Sequence, residues 1–544
     1  MSKGRVLLVV PPYLTTDALV AALYPQPLGL VSIGTVLQGA GYDVSLMDFS
    51  LPAQSSSVPT PPSFDNLGGH PPYRLYGTPL PEVAECLGQV AGLYDVVGLY
   101  GGQCNIALGG GVEVARIVRE LGLPLVVGGP FATTAPDEAL ARFAPNVLVV
   151  GEGEAVAAEA FSSALAGADG LVVRGDPMPM DEVPLPDWSL APPTQYPRVN
   201  GKVRGVLQIS RGCPHACSFC SVHTVQGRRH RRVSGGWILR HLHNLARHGV
   251  TYFCFLDDNL FINTEATDVV LGACRLLKRE VPNARFYVEE GIEVRMAARV
   301  GLLASIKRAG FDNVGLGLET MNNDRRAAVG KPYNAQHLRD AVMQAEDAGL
   351  TARAFYIIGL PGDTLASVAE DVVRFGSLGL AARPNNLKLY PGTDVQRQYL
   401  AAGLIGPDYD WRLSSWHTPD QPGLTFRQIR RLRAVLGAIG HFAEEYGVRL
   451  CADTFEDIQA KLAQHGLTLE RDCGELTLRA AHAYYRATPY RHALGLLLLR
   501  EGAPGYDVVQ PAPDLLVARP NLLGGDEVQD ALAEALHRST YPTL

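Results

Sequence analysis

Three cysteines within a short segment are the residues of this sequence best suited to chemistry. They are Cys213, Cys217 and Cys220, in RGCPHACSFCSV (211–222), and six further cysteines are scattered along the chain. The thiolate is the form of cysteine that binds metals. Because no fourth ligand is obvious beside them, the three thiolates predict a metal centre with one position unfilled.

Two kinds of metal centre fit these thiols. One is a structural zinc ion completed by His215 or His223, although structural zinc usually takes paired cysteine or cysteine–histidine units. The other is a cubane iron–sulfur cluster with three cysteine-ligated irons and a fourth iron open to a small molecule. A buried group of thiols without a metal is less favoured, because Pro214 and Ser218 among them are typical of a loop.

The place of the cysteines among the predicted elements favours the iron–sulfur cluster. They follow directly on VLQIS, the first of six predicted strands that are separated by helix-length sequence. Such a series predicts a partial (β/α)6 barrel of the TIM type, in which chemistry lies at the carboxyl ends of the strands. The six predicted strands are 206–210, 252–258, 285–290, 313–319, 353–359 and 385–390.

The residues before this region predict a second parallel sheet. Short apolar runs alternate there with helical patterns, which is typical of a doubly wound, Rossmann-like α/β domain with its ligand at the strand ends. No GxGxxG motif opens the first helix, so a dinucleotide is not expected. The predicted strands are 5–10, 42–49, 95–101, 124–129 and 146–154.

We predict three domains and a linker. In chain order they are a Rossmann-like domain (1–170), a proline-rich linker (171–202), the partial barrel (203–400) and a small, mainly helical C-terminal domain (401–544). Within the last of these, 425–447 and 475–486 have amphipathic helical patterns. A polar, proline-rich insertion covers 52–80.

Composition excludes several classes of protein. The net charge is −7 and the pI is about 6.1, so no basic field favours nucleic acid or an anionic membrane. The first apolar run, 6–10, is too short for a signal peptide, and no stretch is long enough to span a membrane. We therefore expect a cytoplasmic protein with reduced cysteines.

One dense basic run, GRRHRR (227–232), has three interpretations. It is a solvated face, a patch for nucleic acid or an anionic substrate, or a docking site for an acidic electron donor. No aromatic residues are interleaved with it, so stacking on RNA bases is not supported.

The cysteine motif resembles that of the radical S-adenosylmethionine (radical SAM) enzymes. Cys-x3-Cys-x2-Cys follows a first barrel strand and has an aromatic residue, Phe219, before the third cysteine. GLGLETMN (315–322), YIIGLPGDT (356–364) and KLYPGTD (388–394) resemble the fourth-, fifth- and sixth-strand motifs of that family, in order. The resemblance implies a 4Fe-4S cluster bound by the three cysteines, with S-adenosylmethionine on its open iron.

The same resemblance implies a set of contacts to S-adenosylmethionine. Phe219 stands at the family's adenine-contact position, whereas the usual Gly-Gly-Glu motif of the second strand is absent. Asp257 and Asp258 stand there instead, either as contacts to the methionyl amine or as a helix N-cap. The candidate contacts are Phe219, Asp257, Asp258, Glu319, Gly359 and Leu360.

The N-terminal domain resembles the cobalamin-binding domain that precedes many radical SAM domains. Its motifs are YPQPLGLVSIGTVLQGAGYDV, VVGLYGG, VVGGPFATTAP and VLVVGEGE. The Asp-x-His-x-x-Gly motif of other cobalamin proteins is absent, and the residue after Gly-Gly-Pro is Phe131, which implies a weakly coordinated lower face of cobalt. Cys104 is expected to be a buried thiol rather than a cobalt ligand. The candidate cobalamin-binding residues are Pro27, Leu28, Gly29, Tyr100, Gly101, Gly102, Gln103, Gly128, Gly129, Pro130, Phe131, Gly151, Glu152 and Gly153.

Together the two resemblances imply a methyltransferase. A methyl group would pass from S-adenosylmethionine via methylcobalamin to an unactivated carbon, or to phosphorus, of a small-molecule or peptide substrate in natural-product biosynthesis. A flavodoxin or ferredoxin would supply the electron. Two alternatives stay open: a cobalamin-dependent radical cyclisation or rearrangement without methyl transfer, and a zinc-stabilised binding protein.

Overall fold

The chain folds into two compact units. The computed structural model describes residues 2–15, 26–51, 55–57, 74–414, 417–472, 474–480, 487–512, 514–521 and 525–538. The first unit comprises Met1–Glu290, Arg308–Phe311 and Lys388–Trp416. The second unit comprises Gly291–Lys307, Asp312–Leu387 and His417–Leu544.

A six-stranded parallel sheet forms the N-terminal part of the first unit. Its strands, in their order across the sheet, are Asp43–Asp48, Arg5–Val10, Val96–Tyr100, Leu125–Gly128, Val147–Gly151 and Leu171–Gly175. All neighbouring pairs are parallel. The chain order reverses between Arg5–Val10 and Val96–Tyr100, so this is the switch point at which such sheets bind ligands.

Both faces of this sheet are buried, which explains its nearly continuous apolar strands. Leu7 and Val9 of the first strand join one apolar core, while Val6 and Leu8 join the other. Helices cover the sheet: Leu28–Gly39, Leu80–Val90, Cys104–Ile106, Val112–Glu120, Pro130–Thr134, Pro136–Phe143 and Ala157–Leu165, with a π-helical turn at Ala107–Gly111. The predicted doubly wound α/β fold is confirmed.

Two features around this sheet differ from the prediction or add to it. Leu171–Gly175 pairs with Val147–Gly151, although the linker was expected to begin at residue 171. Its pattern was easy to miss because Leu171 and Val172 are exposed on this edge strand. The proline-rich insertion contributes Arg74–Tyr76 and Ser55–Ser57 to a short antiparallel sheet with Tyr13–Thr15, while 58–73 lie outside the described residues.

The first three barrel strands belong to the first unit. Arg204–Leu207, Tyr252–Phe255 and Arg285–Val288 form a parallel sheet in that order. Helices Gly235–Arg247 and Thr264–Glu280 follow the first two strands. Their N-caps are Ser234 and Asn263, whose side chains accept hydrogen bonds from the first helical turn.

The next three barrel strands belong to the second unit. Asn313–Glu319, Thr351–Ile358 and Ala381–Asn386 form another parallel sheet. Helices Ala335–Asp347 and Leu365–Leu378 connect them, each opened by a capping box. The six predicted β/α units are thus confirmed in number and order, although the last strand begins earlier than the predicted 385–390.

The C-terminal region is mainly helical, as predicted, but it also contains an unpredicted sheet. Its helices are Phe426–Tyr446, Phe455–Ala463, Ala487–Arg500 and Glu527–Arg538. The antiparallel sheet contains, in order, Leu467–Asp472, Glu475–Ala480, Leu515–Pro520 and Tyr506–Ala512. The helix predicted over 475–486 was wrong for 475–480, because buried Leu476 and Leu478 alternate with polar residues. Residues 481–486 lie outside the described part of the chain.

Shorter elements complete the description. The remaining helices are Val222–Val225, Val294–Ala297, Leu302–Ala309, Asn323–Ala328 and Asp394–Ala401. Single 3-10 turns occur at Ala91–Leu93, Gly153–Ala155, Met180–Glu182, Pro193–Gln195 and Trp411–Leu413, and Ser210–Arg211 pairs with Arg231–Arg232 as a two-stranded ribbon. Among the described helices, none has the length and apolar character required to cross a bilayer.

The strand at Glu475–Ala480 gives a direct test of the C-terminal fold. Leu478 is fully buried, so Leu478→Ala should destabilise the protein by about 2–5 kcal/mol through lost packing. The next residue, Arg479, is exposed, and Arg479→Ala should change stability by no more than about 0.5 kcal/mol. Denaturant unfolding of the two variants measures the difference, and equal effects would contradict the strand.

Candidate functional site

The three cysteines lie in an irregular segment, residues 212–220, which we name the cysteine loop. Hydrogen bonds from its neighbours hold it: Gly212 N donates to Gln226 Oε1 at 3.1 Å, and Cys213 N donates to the Gly227 carbonyl at 3.2 Å. At the other end, Val395 N donates to the Ser218 carbonyl at 3.0 Å. The loop is therefore fixed by the segments on both sides of it rather than by secondary structure of its own.

A positive φ at the start of the loop requires glycine. Gly212 has φ +83°, and a Cβ there would lie 2.3 Å from the Arg229 carbonyl oxygen. The chain therefore passes directly under the 226–232 segment before it reaches Cys213. This contact places the first thiol next to that segment.

The three thiols interact with one another. Burial, together with the charges of Cys217, Asp258 and Cys213, raises the pKa of Cys220 to about 12. Thiols in such a setting become thiolates when a metal binds them. Two N–H groups point at sulfur: Val222 N at 3.4 Å from Cys220 Sγ, and Asn259 Nδ2 at 3.8 Å from Cys213 Sγ.

Asp257 supports the chain just before the cysteine loop. Its side chain is fully buried, and Oδ1 accepts hydrogen bonds from Ile209 N at 3.0 Å, Ser210 N at 2.5 Å and Ser210 Oγ at 2.6 Å. Burial raises its pKa to about 7, against the effect of those hydrogen bonds. Asp257 is not a helix N-cap, since the next helix begins at Thr264 and is capped by Asn263.

Asp258 lies closer to the thiols than its neighbour does. Burial, followed by repulsion from Asp257, raises its pKa to about 7, and the Gln226 side chain is a hydrogen-bond partner. Its Oδ2 has no hydrogen-bond partner among the described residues. Asp257 Oδ2 also has none, so Asp258 differs from its neighbour in that its charge acts on Cys220 of the cysteine loop. Phe219, within the loop, is half-buried.

Two cavities lie at the carboxyl ends of the parallel sheet. The narrow cavity has a volume of about 250 Å³ and lies between the strand ends and helices Leu28–Gly39 and Ala157–Leu165. The wide cavity has a volume of about 520 Å³ and includes residues from the ends of Arg5–Val10 and Val96–Tyr100, the switch point. Both cavities include Arg211, directly before the cysteine loop.

Most of the predicted cobalamin-binding residues line these cavities. The narrow cavity is lined by Gly29, Tyr100, Gly128, Gly129, Pro130, Gly151, Glu152 and Gly153, and the wide cavity by Pro27, Leu28, Gly29, Tyr100 and Gln103. Gly29 borders both, and a Cβ on it would meet no atom within 4 Å, so it faces open space.

Three predicted residues do not line either cavity. Gly101 and Gly102 pack against the neighbouring turn: Gly101 N donates to the Gly128 carbonyl at 2.7 Å, and the Gly102 carbonyl accepts from Phe131 N at 2.9 Å. The Phe131 side chain is buried in the apolar core on one face of the sheet. These residues do not line the cavities themselves. They hold neighbouring turns together, and those turns form the cavity walls.

Cys104 is a buried thiol, in line with the expectation for it. Burial raises its pKa to about 11, against a hydrogen bond with the Ser414 side chain. It does not line either cavity. The structure gives it a place in the apolar core rather than at an open coordination position.

In the second unit, Glu319 ends its strand in an unusual conformation. Its φ is +65°, and the pairing register shifts between Gly317 and Glu319. The carboxylate accepts from Lys331 Nζ at 2.9 Å, and the same ammonium donates to the Gly317 carbonyl at 3.2 Å. A strained backbone held by such contacts is frequent at functional sites.

Also in the second unit, a buried carboxylate holds the turn of Gly359 and Leu360. Asp363 Oδ2 accepts from both backbone N–H groups, at 2.8 and 2.9 Å, and its Oδ1 lies 2.6 Å from Arg325 Nε. Burial raises the pKa of Asp363 to about 7, opposed by the charge of Arg325. The two N–H groups are thus used within the turn, and Leu360 is fully buried.

Several residues of the site were not predicted from the sequence. They are Arg211, Gln226 and Asn259 around the cysteine loop, and Gln208 and His241 in the cavity walls. Arg211 directly precedes the cysteine motif, so its place in the sequence could have indicated a role in the site. The others have no local pattern, because their roles depend on contacts between segments that are distant in sequence.

In the part of the chain that the structure describes, no group of three or more His, Cys, Asp or Glu side chains, the three cysteines of the loop included, is close enough to hold a single metal ion. His223 lies on the short helix Val222–Val225, and burial lowers its pKa.

Comparisons with known proteins agree with the sequence motifs. Residues 207–374 match the model of the Radical SAM superfamily. These residues are therefore a radical SAM domain, and the chain is a radical SAM enzyme. Its fold is similar to that of two solved structures with cobalamin bound.

The first of these structures is the radical S-adenosylmethionine methyltransferase TsrM from Kitasatospora setae with cobalamin and [4Fe-4S] cluster bound. It is 17% identical, with a TM-score of 0.55 over 75% of this chain and 76% of that chain. The second is the cobalamin-dependent S-adenosylmethionine radical enzyme OxsB with aqua-cobalamin and S-adenosylmethionine bound, 14% identical, with a TM-score of 0.59 over 85% and 71%.

The names of the sequence relatives describe two kinds of activity, methyl transfer and cyclisation. An uncharacterized methyltransferase, PH0819 of Pyrococcus horikoshii, is 24% identical over 74% of this chain and 85% of its own length. An anaerobic magnesium-protoporphyrin IX monomethyl ester cyclase of Synechocystis is 27% identical over 48% of this chain. The alignment with the cyclase spans 50% of that relative's length.

His241 in the wall of the wide cavity gives a pH-dependent prediction. It is fully buried, accepts from Trp188 Nε1 at 3.3 Å, and burial lowers its pKa from 6.5 to about 3. Below pH 6.5 the unfolded chain binds a proton at this imidazole, whereas the folded chain does not until the pH approaches 3. The free energy of unfolding therefore decreases as the pH falls from 6.5 towards 3. The slope from this group is about 1.4 kcal/mol per pH unit.

The measurement is the pH dependence of unfolding free energy in wild type, His241→Phe and the exposed control His537→Gln. Relative to wild type, His241→Phe should gain stability as the pH falls through this window, and His537→Gln should not. Parallel curves for all three proteins would contradict a buried, neutral His241.

Proposed function

We propose that this chain is a cobalamin-dependent radical SAM methyltransferase. The observation that carries the proposal is the cysteine loop at the first strand end of the radical SAM domain, flanked by residues that line two cavities at the sheet's switch point. The methyl group would be accepted by an unactivated carbon or a phosphorus atom of a small-molecule or peptide substrate, as in natural-product biosynthesis.

The residues present fit a 4Fe-4S cluster. Cys213, Cys217 and Cys220 supply three sulfur donors in one loop, and N–H groups of Val222 and Asn259 point at two of the sulfurs, as is usual around such clusters. When bound, the cluster supplies one-electron chemistry to S-adenosylmethionine. Asp258, whose charge acts on Cys220 and whose Oδ2 has no hydrogen-bond partner among the described residues, is the proposed partner of the methionyl amine, and Phe219 that of the adenine.

The residues of the two cavities fit cobalamin. Glycine turns allow close approach of a ligand to the backbone, and the wide cavity of about 520 Å³ lies within the size range of about 300–1,000 Å³ that is usual for ligand and cofactor sites. When bound, cobalamin supplies methyl-transfer chemistry. This chain would orient it through the strand-end turns and exclude water with the apolar walls of the narrow cavity, which include Leu8, Ile33 and Phe161. The roles of Glu319, Gly359 and Leu360 towards S-adenosylmethionine stay predictions.

A second function in the same superfamily has a specific observation in its favour. The cyclase among the relatives is named for ring formation rather than methyl transfer. A cobalamin-dependent radical cyclisation or rearrangement is therefore the alternative. Both functions need an electron donor, and the exposed Arg228 and Arg229 of the basic run are its proposed docking contacts.

Methyl labelling separates these two functions. The full chain, loaded with cluster and cobalamin and reduced, is incubated with S-adenosylmethionine that carries a deuterated methyl group. A methyltransferase should place deuterium on the extracted cobalamin, as measured by mass spectrometry. Formation of 5′-deoxyadenosine without any transferred label would favour the cyclisation instead.

The cysteine assignment predicts a simple mutational result. Single Cys213→Ala, Cys217→Ala or Cys220→Ala variants should lose the visible absorption of the reconstituted cluster, because each removes one of three iron ligands. Cys86→Ala is the matched control, since Cys86 is exposed on a helix of the N-terminal domain. A loop variant that keeps the full absorption would contradict the ligand assignment.

The cavity assignment predicts a separable result. In Gly29→Phe the new ring would project into the space shared by both cavities, so cobalamin retained after gel filtration should fall at least about 10-fold while cluster content is unchanged. Gly39→Phe, at the exposed end of the same helix, is the control and should retain cobalamin. Equal retention by both variants would place cobalamin elsewhere.

A further inference from the structure

Four buried charges form a connected group between the N-terminal sheet and the cysteine loop. Glu152 and Glu154 belong to the turn after Val147–Gly151, and Arg211 and Arg231 belong to the ribbon beside the loop; we name these four residues the charge quartet. Arg211 donates to Glu154 through two nitrogens, at 2.5 and 3.2 Å, and to Glu152 at 3.1 Å. Arg231 makes a bidentate pair with Glu152.

The quartet is buried as well as paired. The side chains of Arg211, Glu152, Glu154 and Arg231 are exposed by only 13%, 6%, 7% and 14%. Burial opposes ionisation of Glu154, but the charge and hydrogen bonds of Arg211 outweigh it and lower its pKa. Buried ion pairs of this kind add little net stability over apolar residues, and in some proteins buried polar or ionic groups fix the register of the elements they join.

The two arginines of the quartet are connected through the backbone to Cys213, the first proposed cluster ligand. Arg211 and Arg231 are paired residues of the ribbon, and Gly212 and Cys213 follow Arg211 directly. Gly212 N and Cys213 N are hydrogen-bonded to Gln226 and Gly227, and Arg231 also donates to the Gln226 carbonyl at 3.4 Å. A change in the position of either guanidinium is therefore transmitted to Cys213 through short backbone contacts.

The other side of the quartet forms part of the narrow cavity. Glu152, Glu154 and Arg211 line it, together with Gly151 and Gly153 of the same turn. The same group of charges thus contacts the space proposed for cobalamin and the backbone that carries the cluster ligands. The basic run that contains Arg231 is in this respect not a solvated face.

We propose that Glu152, Glu154, Arg211 and Arg231 are positioning residues that set the distance between the iron–sulfur cluster and cobalamin. This inference rests on the proposed function, since it requires both groups to be bound. The quartet need not touch the reacting atoms. It holds the cysteine loop and the Gly151–Glu154 turn in one register, so that a radical generated at the cluster and a methyl group carried by cobalamin reach the same substrate.

The test measures the cluster-to-cobalt distance directly. The full chain is loaded with both groups and reduced, and the dipolar coupling between Co(II) and the paramagnetic cluster is recorded by pulsed EPR. Arg231→Lys keeps the charge but loses the bidentate fork. Glu152→Gln combined with Arg231→Gln removes a pair together, so that neither partner is left as an unpaired buried charge.

Arg231→Lys, at a residue that lines neither cavity, should keep the iron and cobalt content of wild type, and the double variant should keep the iron content. Their distance distributions should be shifted or broadened, and transfer of the labelled methyl group should fall by up to about 100-fold. The control is Glu113→Gln combined with Arg116→Gln, an exposed pair on helix Val112–Glu120 that should leave coupling and transfer unchanged. A purely structural role would instead lower the thermal midpoint and both cofactor contents while leaving the remaining distance unchanged.

Two further outcomes would overturn the inference, and they are distinguishable. If wild type binds both groups and the quartet variants show unchanged coupling and transfer, the positioning role is wrong while the proposed function stands. If wild type binds the cluster but no cobalt, the proposed function is contradicted and this inference with it.

Discussion

An irregular loop that presents three thiols is the constraint on which the rest of this structure depends. The cysteine loop has one turn, closed by a hydrogen bond from Cys220 N to the Cys217 carbonyl at 3.1 Å, and contacts from outside hold both of its ends. Asp257 fixes Ile209 and Ser210 before the loop, Gln226 and Gly227 hold its first residues, and the backbone of Val395 holds Ser218. A fully buried carboxylate is costly unless it is hydrogen-bonded, and three donors to Oδ1 of Asp257 reduce that cost without removing it, since its pKa is still raised to about 7. The same hydrogen bonds hold the backbone that leads into the proposed metal site.

The N-terminal sheet provides the space in which a ligand can lie, at the carboxyl ends of its strands. Its strand order reverses between Arg5–Val10 and Val96–Tyr100, which opens a crevice at their carboxyl ends. Helix Leu28–Gly39 presents Gly29 to that crevice, and interlocked glycine turns at 101–102 and 128–129 allow its walls to approach closely. Gly129, at φ +120°, could not carry a Cβ without a clash at 2.6 Å with the Gly101 carbonyl. Small residues here are thus a requirement of packing as well as of ligand approach.

The parts of the fold with strong local periodicity could be predicted from the sequence. Five strands of the N-terminal sheet, the six β/α units and the helix Phe426–Tyr446 were recognised from apolar patterns, and the three cysteines from their spacing. The strand Leu171–Gly175 was missed because an exposed edge strand has a weak apolar pattern, and Glu475–Ala480 because a short alternating run precedes a helix-like sequence. Phe131 was expected beside the corrin, but its side chain packs into the core. The contacts of Arg211, Gln226 and Asn259 could not be predicted, since each joins segments that only the folded chain brings together.

The most direct test of the central claim is the metal content of the full chain after anaerobic purification and reconstitution. A cobalamin-dependent radical SAM enzyme should contain about four iron atoms, about four sulfides and one cobalt for each chain. Cobalt should be lost without loss of iron when the crevice is blocked at Gly29. Zinc in place of iron, or a full cluster with no cobalt bound, would contradict the account.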